Sequence, residues 1–192
     1  MRASLQALKA RLREDVTARV AALSAAYRGN ASAQARALLE QQSQWRRAES
    51  ILFYAPVGSE LDVWPLVADK IKAGKVVALP RFDPGTQRYL ARQVKDLTRE
   101  LARGHYGILE PPADCEMVSL NRLDFILVPG VAFDLHGRRL GRGKGFYDQL
   151  LAAVRGKTCA VAFEEQIVPE VPVEPHDSDV NCILTPTRWI EL

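Results

Sequence analysis

The 192 residues are 47% hydrophobic and 26% charged, the size of one domain and a globular composition that excludes wholesale disorder or a fibre. No apolar run nears the roughly 18 residues of a membrane span, and no apolar stretch follows Arg2, Lys9, Arg11 and Arg13 as a secretory signal would require. Cys115, Cys159 and Cys182 form no CxxC pair, which argues against a disulfide framework or zinc module and for a reduced, cytoplasmic protein. The formal charge of +3 is too small to imply nucleic acid, and the expected state is a monomer; yet residues 1–49 hold nine Lys/Arg against four Asp/Glu. That local excess points to an anionic partner such as a small phosphate compound.

Leu5, Leu8, Leu12, Val16, Val20 and Leu23 recur at three- and four-residue steps and predict a first helix, ended at Tyr27-Arg28-Gly29-Asn30. A second is predicted from Ser32 to Glu49. Ile51 to Ala55 is a short apolar run stopped by Pro56, read as a buried strand. A helix capped by Ser59 or Asp62 and closed by Gly74 follows. Strands are then predicted at Val76–Leu79 and Arg88–Val94, a short helix at Leu97–Ala102, and irregular chain over 104–118. Phe125–Val128 is a further buried strand, Phe146–Val154 a helix, and Cys159–Ala162 and Asn181–Leu184 the last strands. Unbroken apolar strands separated by helices imply one α/β domain with a mostly parallel sheet covered on both faces.

In such sheets ligands collect at the carboxyl ends of the strands, which directs attention to the segment after Phe125–Val128. It contains Arg138-Arg139-Leu140-Gly141-Arg142-Gly143-Lys144-Gly145-Phe146-Tyr147-Asp148. Three glycines at alternate positions bare the backbone N–H groups, four cations fall within seven residues, and a helix start follows, whose dipole favours anions. A polyphosphate cradle needs these features; a solvated surface turn shows a similar composition. Neither the Walker A spacing nor the dinucleotide fingerprint fits. Asp148 either complements the helix dipole or holds Mg²⁺ beside phosphate oxygens, and the loop His176-Asp177-Ser178-Asp179 offers a second acid or an ordinary lead-in to a strand. Lys9 and Arg13 flank the first helix's apolar stripe, as a solvated face or as two more phosphate cations. Glu60 either starts a helix or accepts hydrogen bonds from a heterocycle. The histidines share no metal-ligand spacing, no serine sits in GxSxG, and Cys159 reads as core.

The run Pro129-Gly130-Val131-Ala132-Phe133-Asp134 with the Arg139–Asp148 loop resembles the signature of 5-formyltetrahydrofolate cyclo-ligases. Lys9 to Arg13, Leu79-Pro80-Arg81, Tyr106 to Pro111 and Ala162 to Ile167 are similar to other blocks of that family, from residue 9 to about 184. The resemblance implies a three-layer α/β/α sandwich and an ATP- and Mg²⁺-dependent closure of 5-formyltetrahydrofolate to 5,10-methenyltetrahydrofolate. It implies ATP contacts from Lys9, Arg13, Arg139, Leu140, Gly141, Arg142, Gly143, Lys144, Gly145, Phe146 and Tyr147, with Lys144 and Arg142 catalytic. Tyr54, Glu60, Tyr106 and Phe146 would hold the folate, and Asp148 and Asp177 the metal. Two positions depart from the family pattern: Phe146, where tyrosine is frequent, and Asn181, where an acid is common. A cyclo-ligase-like protein with another cofactor-like substrate is the alternative enzyme, and a nucleic-acid- or folate-binding module without turnover the alternative from another class; the latter would show a steep salt dependence on nucleic acid.

Overall fold

The computed structural model describes residues 2–174 and 177–192. Helix α1 (Arg2–Ala21) ends earlier than its apolar pattern predicts, because Ser24 caps the next helix by accepting the Tyr27 N–H at 3.1 Å. Tyr27 to Asn30 therefore lie inside α2 (Ala25–Glu40), with Gly29 a helical residue, and a separate short α3 (Ser43–Arg47) follows. Leu8 is exposed whereas Lys9, Val16 and Val20 are buried. Lys9 thus lies within the docked face of α1 rather than beside it.

Strand β1 (Ser50–Leu52) leads through a loop to α4 (Trp64–Lys72), where Asp62 accepts the Trp64 N–H and Pro65 occupies the first turn. Gly74, at φ 74°, turns the chain into β2 (Val76–Asp83), which runs four residues past its predicted end and pairs antiparallel with β3 (Arg88–Gln93). The predicted helix at Leu97–Ala102 is absent; Ala102–Arg103 form β4, which pairs with β5 (Leu109–Glu110). Then come β6 (Met117–Val118) and β7 (Phe125–Val128), followed by the small hairpin of β8 (Ala132–Phe133) and β9 (Arg139–Leu140). Helix α5 (Phe146–Leu151) stops three residues short of its predicted end, and β10 (Lys157–Val161), β11 (Cys182–Leu184) and β12 (Trp189–Glu191) complete the chain.

The central sheet has eight strands in the order β12-β11-β10-β7-β1-β2-β3-β6. The five from β11 to β2 are mutually parallel, and β12, β3 and β6 each pair antiparallel with the neighbour on their inner side. On one face Ile51, Phe53, Val77, Leu79, Phe125, Leu127, Cys159 and Cys182 pack with Val16, Leu39, Trp45 and Val67 of the four N-terminal helices. On the other, Leu52, Ala78, Ile126, Val128, Ala160 and Ile183 pack with Phe133 and with Leu150 and Leu151 of α5. The three layers are unequal, with one short helix and a hairpin on the second face. The connection β1 to β2 runs one way along the sheet and β7 to β10 the other, so neighbouring β1 and β7 diverge at their carboxyl ends and leave a crevice there.

Candidate active site

That crevice is a cleft lined by Tyr54 and Ala55 after β1, Pro80 of β2, Pro129 and Gly130 after β7, and most of the glycine loop. Its non-atom space, counted out into the open mouth, is about 890 Å³.

Glu60 is among the lining residues. Its Oε2 accepts the Val57 N–H at 3.0 Å and its Oε1 accepts Arg142 Nη2 at 2.8 Å. Burial raises its pKa above 4.5, and Arg142 and the Val57 N–H pull it back without cancelling the rise. Tyr54 is buried with its hydroxyl donated to the Leu61 carbonyl at 2.8 Å, and burial pushes its pKa well up. Tyr54 therefore stays neutral and fixes the loop that carries Glu60.

The glycine loop, which carries Arg142, meets Glu60 across their hydrogen bond. Gly143 and Gly145 take φ of 92° and 69°, a region costly for other residues. Arg13 Nε donates to the Gly141 carbonyl at 2.8 Å, so α1 clamps the loop from outside the cleft. Arg139 is buried: Nη2 donates to Asp148 Oδ1 at 2.5 Å, Nη1 to the Pro129 carbonyl at 3.4 Å, and Nε has no partner among the described residues. Leu140 is buried and accepts the Val131 N–H at 2.7 Å, a contact within the hairpin.

The side wall is aromatic. Phe146 packs on Phe82 at 5.1 Å and on Tyr89 at 5.7 Å, and Tyr89 on Tyr147 at 5.8 Å, between ring centroids. His105 stacks on Phe82 at 4.0 Å and carries Tyr106, which is exposed at φ 57° over the cleft. Phe146 thus packs in this ring cluster and lines the cleft without a hydroxyl. Glu110 closes the wall, buried, accepting the Phe82 N–H at 3.1 Å and Arg81 Nη1 at 3.4 Å.

The cleft therefore unites Tyr54, Glu60, Tyr106, Arg139, Gly141, Arg142, Lys144, Gly145, Phe146, Tyr147 and Asp148. Lys9, Arg13, Leu140, Gly143 and Asp177 do not line it. Lys9 Nζ instead bonds Asp177 Oδ2 at 2.6 Å and Glu174 Oε2 at 3.1 Å. Asp148 and Asp177 thus hold different cations, Arg139 and Lys9, and share no acidic cluster among the described residues. His176 lies outside those residues. Asn181, at the amino end of β11, accepts the Thr158 N–H and hydroxyl at 2.9 Å each. It is a strand-pairing residue, so its amide replaces no acid in the cleft.

Tyr89, Ile108 and Glu110 escaped the sequence reading as site residues. Tyr89 was findable, because it sits directly opposite Phe82 across the β2–β3 pair. Gln166 is the other unassigned organiser: it accepts the Phe163 N–H at 2.9 Å and donates to the Gly130 and Val131 carbonyls at 2.8 and 3.1 Å.

The sequence profile of the 5-formyltetrahydrofolate cyclo-ligase family matches residues 5–186. A 5-formyltetrahydrofolate cyclo-ligase of Mus musculus is 31% identical to this chain, over 94% of it and 95% of the relative. One from Mycolicibacterium smegmatis is 36% identical over 73% of this chain and 75% of the relative. The NMR structure of Aquifex aeolicus 5,10-methenyltetrahydrofolate synthetase superposes with a TM-score of 0.88 at 33% identity, over 96% of this chain and 93% of that one. The crevice, the glycine loop and these likenesses agree, and the chain belongs to the 5-formyltetrahydrofolate cyclo-ligase family and is a ligase.

Proposed function

We propose that the protein closes 5-formyltetrahydrofolate to 5,10-methenyltetrahydrofolate at the expense of ATP in the presence of Mg²⁺, releasing ADP and phosphate, in the cytoplasm. The observation that carries this reading is one cleft lined together by a basic glycine loop, the half-buried carboxylate of Glu60 and an aromatic wall. Phosphoryl transfer asks mainly for positioning and charge neutralisation, and no protein nucleophile is needed. The formyl oxygen attacks the γ-phosphate of ATP, and the formyl carbon becomes activated. Nitrogen 10 then attacks that carbon and gives up its proton, the ring closes, and the C–O bond breaks so that phosphate leaves with the former formyl oxygen and takes the proton as hydrogen phosphate.

Lys144 and Arg142 neutralise charge on the transferring phosphoryl group, and Gly141 and Gly145, on either side of Gly143, present their backbone to phosphate oxygens from the cleft lining. Arg13 holds this loop from behind. Arg139 holds Asp148. Phe146 and Tyr147 form the edge between the two halves. Glu60 accepts a hydrogen bond from a pterin N–H, with Tyr106 and Phe146 as stacking surfaces and Tyr54 fixing the floor.

The donor set fits Mg²⁺ through Asp148: Arg139 engages only its Oδ1 among the described residues, and this ion takes one or two carboxylates with phosphate oxygens and waters. When bound, it would neutralise phosphate charge. Asp177 and Lys9 would join the site once Lys9 exchanged its carboxylate partners for phosphate.

The test is absorbance in the methenyl band on mixing protein, 5-formyltetrahydrofolate, ATP and Mg²⁺. A rise that requires all three is expected, with Lys144→Ala and Asp148→Ala each lowering kcat by about 100-fold or more. ATP binding without any rise would move the substrate elsewhere, and failure to bind ATP would overturn the phosphate role of the loop.

A further inference from the structure

Two ion pairs have both partners in the cleft lining, and they differ in kind. Arg139 and Asp148 are neighbours on one segment, with side chains 3% and 17% exposed. Glu60 and Arg142 come from loops 82 residues apart that both line the cleft. The Glu60 side chain is 14% exposed and anchored by the Val57 N–H, whereas that of Arg142 is 64% exposed. Arg142 stands between Gly141 and Gly143, and Gly143 takes a left-handed φ. One partner is therefore fixed, and the other can swing without disturbing the core.

We propose that the Glu60–Arg142 pair links the two halves of the cleft energetically, so that the first ligand to bind breaks it and the second binds more tightly. The inference rests on the functional reading above, in which phosphate recruits Arg142 and the heterocycle recruits Glu60. Each ligand needs one end of the same pair. The cost of parting the two charges is borne once, by whichever ligand arrives first. Coupling of this kind is reciprocal: the factor by which nucleotide tightens folate equals the factor by which folate tightens nucleotide. A half-exposed ion pair sets its scale at about 5- to 10-fold.

The pair also makes a prediction that a plain substrate contact does not. Removing the charge of Glu60 frees Arg142 in advance, so a residue on the folate side should govern nucleotide affinity in the absence of folate. Loss of Arg142 should do the converse.

Equilibrium binding by calorimetry tests this, with a non-hydrolysable ATP analogue plus Mg²⁺ and with 5-formyltetrahydrofolate, each alone and with the other saturating. In the wild type, mutual tightening by about 5- to 10-fold, equal in both directions, is expected. Glu60→Gln should tighten the analogue alone by about that factor and bring the coupling close to one. Arg142→Gln should weaken the analogue while leaving folate alone at least as tight as in wild type. Glu60→Asp, one methylene shorter, checks the first result should the glutamine variant fold poorly. Unchanged analogue affinity in both Glu60 variants, with coupling intact in the wild type or absent there, overturns the link while leaving the catalytic reading standing. An analogue that does not bind the wild type overturns both.

Discussion

Gly141 has no side chain because a guanidinium occupies the place of one. A Cβ there would lie 2.8 Å from Arg139 Nη1. Arg139 cannot yield easily, since Asp148 and the Pro129 carbonyl hold it. Gly141→Ala is therefore expected to displace the loop relative to Asp148 and lower kcat/KM by about 100-fold, with the Tm shifted by no more than a few degrees. Activity near wild type would show that the loop adapts. Glu60 carries the opposite trade. Its pKa is raised in the folded state by burial, so the native protein keeps this proton to a higher pH than the unfolded chain does. Stability from this group is therefore lost as pH rises from the unfolded carboxylate value through the raised folded one. Glu60→Gln, which cannot ionise, should melt above wild type at pH 7.5, and the gap should close below about pH 4. Thermal melts at the two pH values decide it; a gap independent of pH would mean that ionisation of Glu60 is not its source.

At the level of elements, side chains rather than long helices hold the cleft's rim in place. Asp134 is fully buried and accepts the N–H groups of His136, Arg138 and Val171 at 2.9, 3.1 and 2.9 Å, which fixes the β8–β9 turn and ties it to the chain after β10. Gln166 performs the same service between the ends of β7 and β10. Gln166→Leu would leave the Gly130 and Val131 carbonyls and the Phe163 N–H without their partner, a loss of about 3 kcal/mol. The expected fall in Tm is about 6–12 °C for a chain of this length, measurable by calorimetry; a shift under about 2 °C would show that water replaces the amide. Helix α1 is bound to this rim by charge. Burial pulls the Lys9 pKa down, but its bonds to Asp177 and Glu174 more than compensate and leave it raised. Its share of stability is thus present below the ordinary lysine range and lost above it, and the lysine remains charged at neutral pH.

Over the whole molecule, the sheet protects its own edges. The two edge strands, β12 and β6, are three and two residues long, too short to template another chain. Of the exposed large apolar residues, Tyr106 and Leu109 share the segment beside the cleft, and Leu8, Tyr27, Met117, Leu135 and Leu192 are spread along the chain, as single apolar residues are on ordinary surfaces. Light scattering after gel filtration is accordingly expected to give one species near 21.3 kDa; a mass near twice that at micromolar concentration would refute it. No helix among the described residues is long and apolar enough to cross a membrane.

What the sequence determined by itself were the features set by local chemistry. Unbroken apolar runs such as Phe125–Val128 had to be central strands, and alternating glycines among cations had to form an exposed loop after one of them. Those two facts placed the cleft. The helix boundary at Ser24 was misjudged because a cap competed with a continuing apolar period, and the 97–102 segment because its turn bonds to Asp96 and Glu100 leave no trace in periodicity. Only the tertiary structure decided which charges meet. Lys9 faces Asp177 across 168 residues and Glu60 faces Arg142 across 82, and a pairing at such separation is fixed by strand order and helix docking, which no local pattern encodes.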